Sequence, residues 1–504
     1  MSMRITGMVS GLDTDALVKE LVSAQKMKNK KVEDKKVKLE WKQDIWKTLN
    51  SKLFGFFSDD VSKVRLEGNF QNKKVDSSND KAIEVRGTNA APLGVHEVTI
   101  KQIASSQYIT SGIIESGSED SNVSNDTKLS SLVDLRNEEG ATLIIADKTL
   151  NITDDTKISD VVNIAREAGL NANFDEEMQR LFVSSKESGE ANSFQIGGND
   201  SVLSALSLDA LDETGAKIDG ESNVSSVVQA KDSIIVYNGA ELRGDTNVIT
   251  ANGLTFTLKD ANPDETIKLN IGNDSESTYN MIKDFIKGYN EVLNEMNTRY
   301  NANSARGYDP LTEEQKDAMT DSTVEKWETT IKDSLLRRDL GLGSLINTFR
   351  NIAGKGVEVD GKNYTLSSFG IRTSDYTERG LLHIYGDEDD PTYASNDDML
   401  LKAIEEDPEL VMKFFTEIGK ELHSTMSDKM SSVPNVKSAM TFYNDKLMSK
   451  ELSRYEKEIS VLDRKLYEME ERYYNQFSRL ETALTQMQSQ SDYLYSMMGM
   501  GVPQ

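Results

Sequence analysis

Leu452, Tyr455, Ile459, Leu462, Leu466, Met469 and Tyr473 stand alternately three and four residues apart. Apolar side chains at that spacing form one stripe along a helix, and such a stripe has to be covered by a second helix. The pattern runs on through Phe477, Leu480, Leu484, Met487 and Leu494, but Met469, Tyr473 and Phe477 are four and four apart. That stutter locally unwinds a left-handed supercoil, so the partner surface is expected to change near residue 473. A matching seam lies at the other end of the chain, where Val32, Leu39, Trp46 and Leu53 fall seven apart and Leu49 and Phe56 take the second position. The simplest path folds the chain back on itself, with both ends in a helical stalk and the middle in a head.

Ahead of the N-terminal seam, "VSGLDTDALVKELVSAQ" sets Asp13, Thr14 and Asp15 before Ala16, Leu17, Val18, Leu21 and Val22, the pattern of a capped amphipathic helix with acid in its first turn. Lys26, Lys28, Lys30, Lys31, Lys35, Lys36 and Lys38 then crowd one segment of a chain whose formal net charge is -26. Nucleic acid is not expected as a partner, because phosphate binding needs positive charge over the whole bound surface and this helix alone concentrates it. The stripe reads as a solvated face or as a contact with an acidic protein surface.

From about residue 73 the hydrophobic period becomes two. "KAIEVRG", "HEVTIKQIA" and "QYITSGII" read as strands. "ATLIIADKTLNI", "ISDVVNIAREAG" and "NANFDEEMQRLFVSS" make a strand-strand-helix-strand-strand unit, and "SIIVYNGAELRG" carries Asn238-Gly239, the pair a type I′ hairpin turn prefers. "GLTFTLKD" and "ETIKLNIG" close the strand-rich region near residue 272. Helix returns with an apolar stripe of Ile282, Phe285, Ile286, Tyr289, Val292, Leu293 and Met296. Residues 300–440 read as further helices with one hairpin, "GVEVDGKNYTL". The fold class is α+β: long terminal coiled-coil helices forming a stalk, with inserted strand-rich, mainly antiparallel β head domains. The expected domains are an N-terminal leg helix at 1–40, a helical stem at 41–72 plus 276–450, a β-rich plate at 73–119 plus 232–275, an inserted β-rich outer domain at 120–231, and a C-terminal coiled-coil leg at 451–504.

Chemistry is hard to find. The chain has no cysteine, which removes disulfides, thiol nucleophiles and thiolate metal sites. His96, His383 and His423 are scattered, none with a second histidine at metal-ligand spacing. "GVEVDGKN" at 356–363 has Asn363 where a phosphate loop needs Ser or Thr, and it precedes a strand instead of opening a helix. "GLGSLI" at 341–346 lacks the third glycine of a dinucleotide fingerprint. The acidic run "GDEDDPTYASNDD" at 386–398 sets Pro391 at an oxygen-ligand position of a calcium loop and Thr392 at the glycine position. Trp41 and Trp46 read as packing residues. No catalytic, cofactor or metal site is expected, so an enzyme is not. No run of about 18 apolar residues is present to insert into a membrane, and Asp13, Asp15 and Lys19 interrupt any secretory-signal core.

"GMVSGLDTDALVKELVSAQ" at 7–25 resembles the N-terminal signature of the flagellar filament-capping proteins, the hook-associated protein 2 family. "APLGVHEVTIKQIASSQYITSG" is similar to that family's first strand pair, and 141–197 resembles the small insertion shared by flagellins and cap proteins. "NPDETIKLNIGNDSESTYNMIKDFIKGYNEVLNEMN", "LSSFGIRTSDYTERGLLHI" and "LETALTQMQSQSDYL" follow in the family's order. The resemblance implies a secreted structural protein at the distal tip of the bacterial flagellum, exported by the flagellar type III apparatus without a cleaved signal peptide. It implies a homo-oligomeric ring of about five subunits that retains flagellin, promotes its polymerisation and elongates the filament. Implied partners are flagellin, hook-filament junction proteins and a cytoplasmic export chaperone on the C-terminal helix. The alternative functions are an adhesin for host mucin carried on the flagellar tip, and another axial protein such as a hook-filament junction protein.

Under this reading Leu12, Asp13, Leu17, Leu21 and Val22 on one segment, with Leu480, Leu484, Met487 and Leu494 on the other, form the surface that docks on flagellin. Residues 1–40 and 474–504 are expected to be poorly ordered in the free subunit, since short amphipathic helices without a partner do not offset their ordering entropy. The lysine stripe is assigned to export or to an acidic neighbour.

Overall fold

The computed structural model describes residues 11–116, 122–132, 140–208, 225–373 and 376–497. Two compact units divide the chain, one of Met1–Phe70 with Ser275–Gln504, the other of Gln71–Asp274. The first is helical and built from both ends; the second is strand-rich and lies wholly within the sequence of the first. No helix among the described residues is long and apolar enough to cross a membrane.

The helical unit starts with an N-terminal helix, Thr14–Phe56, which widens into a π-helical turn at Phe57–Val61 and ends by Val64. The return helix, Ser275–Tyr300, buries the whole predicted stripe from Ile282 to Met296. Phe56 stacks on Phe285 with centroids 5.7 Å apart and meets Phe349 of helix Leu340–Ala353 at 5.9 Å. Phe369 packs on Phe414 at 4.6 Å, tying a 3₁₀ turn to helix Pro408–Lys429. That helix begins at Pro408 after Asp407, whose carboxylate accepts the Leu410 amide at 3.0 Å, so the fixed φ of proline and a side-chain cap start it together. The connection into the C-terminal helix, Asp445–Met497, is clasped by Asn50. Its amide donates to the Met440 carbonyl at 3.2 Å and its carbonyl oxygen accepts from the Phe442 amide at 2.8 Å.

The expectation of a single hairpin between 300 and 440 needs correcting. Val357–Val359 pairs with Lys362–Tyr364 as expected, and Ile371–Thr373 also pairs with Leu382–Ile384. Strands of three residues are too short to show a period. This second hairpin carries His383, for which spacing along the sequence shows no partner. The imidazole lies 2.7 Å from Asp390 Oδ2 through Nδ1 and 2.7 Å from Glu378 Oε2 through Nε2, with the Tyr393 ring 4.7 Å away. Burial pulls its pKa down, but the hydrogen bonds and charges of Asp390 and Glu378 outweigh this and raise it above the ordinary value. A group whose folded pKa is raised stabilises the fold fully below its unfolded pKa and loses that contribution as pH rises through the folded value. The melting-temperature difference between the parent and His383→Gln should therefore be largest at about pH 5.5 and shrink by about pH 9. A difference that grows with pH would disprove the pairing.

The strand-rich unit holds an eight-stranded antiparallel sheet. Across it the strands run Ala240–Gly244, Ser233–Tyr237, Gly94–Gln102, Ile267–Asn273, Lys73–Ser77, Ile83–Gly87, Leu254–Leu258, Val248–Ala251. Two separate stretches of chain interleave in it, with Ile83, Val98, Ile100, Ile235, Phe256 and Leu269 in its core. The Asn238-Gly239 turn forms with φ of 46° and 84°, the left-handed pair that a two-residue hairpin needs, and Asn238 bonds to the neighbouring strand through His96 and Glu97.

Between adjacent strands Gly94–Gln102 and Ser233–Tyr237 the chain leaves and returns through a neck, where Ser105 and Lys231 exchange backbone hydrogen bonds of 2.9 and 3.1 Å. The insert has a four-stranded sheet ordered Ser226–Val228, Tyr108–Thr110, Arg180–Ser184, Asn171–Asp175 and a three-stranded one ordered Lys148–Asn151, Thr142–Ile145, Ile196–Gly198. Helix Ile158–Glu167 packs Val161, Val162 and Ala165 into their shared core. Tyr108–Thr110 pairs inside this insert and Ile109 and Ile114 lie in its core, so the plate gives way at Ser105 and not at the expected residue 119. A polar loop reads as a boundary in sequence, whereas strand pairing decides it. Residues 209–224 of the expected outer domain lie outside the described residues.

Candidate functional site

The two terminal helices run antiparallel. Tyr474 donates to Asp15 at 2.8 Å, Asn29 to Asp463 at 2.8 Å and Gln43 to Ser449 at 3.5 Å, so numbers fall on one helix as they rise on the other. Asp13 caps the N-terminal helix, its carboxylate accepting the Ala16 amide at 2.9 Å. Asn29 is 4% exposed in the seam. Its amide nitrogen donates to Asp463 while its oxygen accepts from Gln25 at 3.0 Å, and a satisfied polar pair at one seam position fixes the register of the two helices. Extending the heptad backwards from Val32 lands on Asn29, Gln25, Val22 and Val18, so the signal for this lock was present in the sequence.

The predicted seam divides into two parts. Val32 is buried, Leu39 is half-buried, and Leu452, Tyr455, Ile459, Leu462, Leu466, Met469 and Tyr473 are all half-buried along the C-terminal helix. Trp46 and Leu53 belong instead to the core of the helical unit, and Trp46 stacks on Tyr443 with centroids 5.7 Å apart and planes 10° from parallel. The seam is continuous in sequence, but its covering partner changes from the last helix to the stem core.

Of the predicted docking residues, Val22 is fully buried in the seam. Leu12, Leu17 and Leu21 are exposed at 46%, 38% and 47%, and Leu480, Met487 and Leu494 at 45%, 59% and 58%, while Leu484 is half-buried. Tyr493 and Met497, absent from the predicted set, are exposed at 64% and 69%. Large apolar side chains thus remain uncovered at the start of one helix and the end of the other, while Tyr474 and Asp15 between them are paired.

The lysine stripe finds much of its acid within the chain. Lys26 approaches Glu470 at 3.5 Å and Lys36 approaches Glu456 at 3.6 Å across the helix pair. Lys30 donates to the Pro310 carbonyl at 2.8 Å, and Lys38 pairs with Asp309 at 2.7 Å, holding that carboxyl below its ordinary range. Lys28, Lys31 and Lys35 make no ion pair among the described residues. A helix pair whose opposed flanks carry Lys on one side and Glu on the other gains direction as well as some stability. The acidic run at 386–398 is likewise engaged: Lys283 pairs with Asp387 at 2.5 Å and Asp389 at 2.6 Å, and Asp398 caps the helix Met399–Glu406 through the Leu401 amide.

Long paired terminal helices with uncovered apolar ends, carrying a β-rich unit inserted between them in sequence, define a structural assembly subunit. Family models described as the flagellar hook-associated protein 2 C-terminus and N-terminus match residues 230–489 and 10–107. The chain belongs to the flagellar hook-associated protein 2 family, the caps of the bacterial flagellar filament. It is 23% identical to flagellar hook-associated protein 2 of Halalkalibacterium halodurans over 97% of this chain and 98% of that one. It is 24% identical to the A-type flagellar hook-associated protein 2 of Pseudomonas aeruginosa over 58% of this chain and 62% of that one. A crystal structure of the D1-D2-D3 domains of the flagellar cap protein FliD from Escherichia coli covers 77% of this chain and 96% of its own, at 19% identity and a TM-score of 0.48. The adhesin and junction-protein alternatives gain no support from these matches.

Proposed function

We propose that the chain caps the growing filament as a homo-oligomeric ring, with its terminal helix pair as the leg that docks on flagellin. The observation that carries this reading is the apolar surface left at the free end of the helix pair, Leu12, Leu17 and Leu21 with Leu480, Met487 and Leu494. A helix from another chain laid along that surface would bury apolar area at about 25 cal/mol per Å², whereas Lys26, Lys36 and Lys38 above it already have acid partners within the chain. The leg comprises residues 1–40 and 451–504, the plate packs subunit to subunit in the ring, and the outer domain lies on its far face. Subunits reach the tip through the flagellar type III apparatus, held until export by a chaperone on the C-terminal helix.

Ring formation is the direct test. Purified full-length chain at high concentration should give closed rings with legs in negative-stain electron microscopy, and sedimentation should show a matching oligomer. Discrete monomers at every concentration, with or without filament ends present, would refute the ring.

A further inference from the structure

The helical unit contains a cavity of about 530 Å³ that the paired ends do not use. It lies against the return helix, helix Leu340–Ala353 and the second hairpin. Two arginines line it, Arg350 and Arg379, and among the described residues no Asp or Glu does, in a chain with 84 acids against 58 lysines and arginines. Neither arginine forms an ion pair among the described residues.

Arg350 is fixed in place. Its Nε and Nη2 donate to the Arg379 carbonyl at 3.0 and 2.6 Å, and Nη2 also donates to Asn297 Oδ1 at 2.9 Å. Both hydrogens of Nη1 lack an acceptor among the described residues. A guanidinium held through Nε and Nη2 and open at Nη1 is a preorganised donor for an anion. Tyr289 adds a wall residue only 3% exposed, whose hydroxyl has no partner among the described residues. Burial pushes this phenol up, keeping it protonated and a donor. An orphaned buried hydroxyl costs free energy that an incoming acceptor oxygen would return.

The rest of the lining argues for an anion on an apolar stem. Leu366, Ile371 and Leu382 are buried apolar residues at the cavity, which a phosphate or sulfate would desolvate against without gain. Tyr376 borders the cavity and is 88% exposed, so an aromatic face is available to a chain continuing outward. We propose that the cavity takes the C-terminal apolar residue of a peptide, its carboxylate on Arg350 and Arg379, its side chain over Leu366, Ile371 and Leu382, and its preceding residue against Tyr376.

Calorimetric titration of the full chain with acetyl-Ala-Ala-Ala-Leu bearing a free carboxylate should saturate, and the same peptide as its carboxamide should bind at least about tenfold more weakly. Arg379→Gln should weaken the free acid by at least about tenfold without moving the melting temperature, because the Arg379 side chain makes no hydrogen bond or ion pair among the described residues. Arg350→Gln should do the same to binding, with some loss of stability because Asn297 Oδ1 loses its donor and the Arg379 carbonyl keeps only the Asn297 amide at 3.3 Å. No saturable heat, equal binding of acid and amide, or unchanged affinity in Arg379→Gln would overturn the site. Binding of 4-methylpentanoate without binding of the peptide would overturn the peptide as its ligand.

Discussion

Gly419→Leu lowers the stability of the helical unit by about 3 kcal/mol or more, while Gly55→Ala raises it by up to about 1 kcal/mol. Both glycines sit in α-helices of the same unit, where glycine is a poor choice on conformational grounds alone. A Cβ at Gly55 meets nothing within 4 Å. A Cβ at Gly419 would stand 2.8 Å from the Arg65 backbone nitrogen, 2.9 Å from its Cα and 3.1 Å from the Val64 carbonyl carbon. Backbone cannot swing aside as a side-chain tip can, so helix Pro408–Lys429 would have to move off residues 64 and 65. That shift would open the packing of Phe414, Phe415 and Ile418, which are buried in the largest core of the chain. The adjacent Arg65 Nε, buried without a partner, leaves little room for rearrangement there. Urea unfolding followed at a probe in the helical unit separates the two substitutions: opposite shifts of the midpoint are expected, and equal shifts would mean that close helix contact at Gly419 is not what glycine serves.

What was legible in the sequence is what depends on neighbours along the chain. The stripe from Ile282 to Met296 and the Asn238-Gly239 turn are local patterns that form the element their spacing predicts, and the terminal seam residues lie on helices, with Trp46 and Leu53 turned to the stem core. Contacts set by tertiary approach were not legible. Gly419 looks like any helical glycine until Arg65 lies across it, and His383 looks like a strand residue until a loop brings Asp390 beside it. The lysine stripe shows the same limit from the other side. Its charge is evident at once, but Glu456, Glu470 and Asp309 are hundreds of residues away, so an external acid was the simplest partner to assign. Among the docking residues, Val22 sits one position from Leu21 and yet is buried where Leu21 is exposed, because a helix turns about 100° per residue and the seam takes only one side.

Removing residues 474–504 is expected to abolish filament elongation while both compact units stay folded. The largest buried core of the helical unit draws nothing from beyond Tyr443, with Met448 packed at its edge, and the insert and plate cores lie within 82–271. What the deletion takes is the Tyr474 bond to Asp15, the buried Glu481, the half-buried Phe477 and Leu484, and the length of helix that carries Leu480, Met487 and Leu494. The bond is worth about 1 kcal/mol, too little to unfold the unit. The exposed side chains contribute nothing to the fold of the isolated chain, so their value appears only when another chain covers them. A triple substitution, Leu480→Ser with Met487→Ser and Leu494→Ser, tests the surface without shortening the helix. In cells lacking the parent gene, both variants should fail to restore swarming and should release flagellin monomer into the medium, while circular dichroism of each purified chain keeps a cooperative melt. Full-length filaments grown with either variant would remove the apolar end of the helix pair from the docking mechanism, and loss of the melt would assign those residues to folding instead.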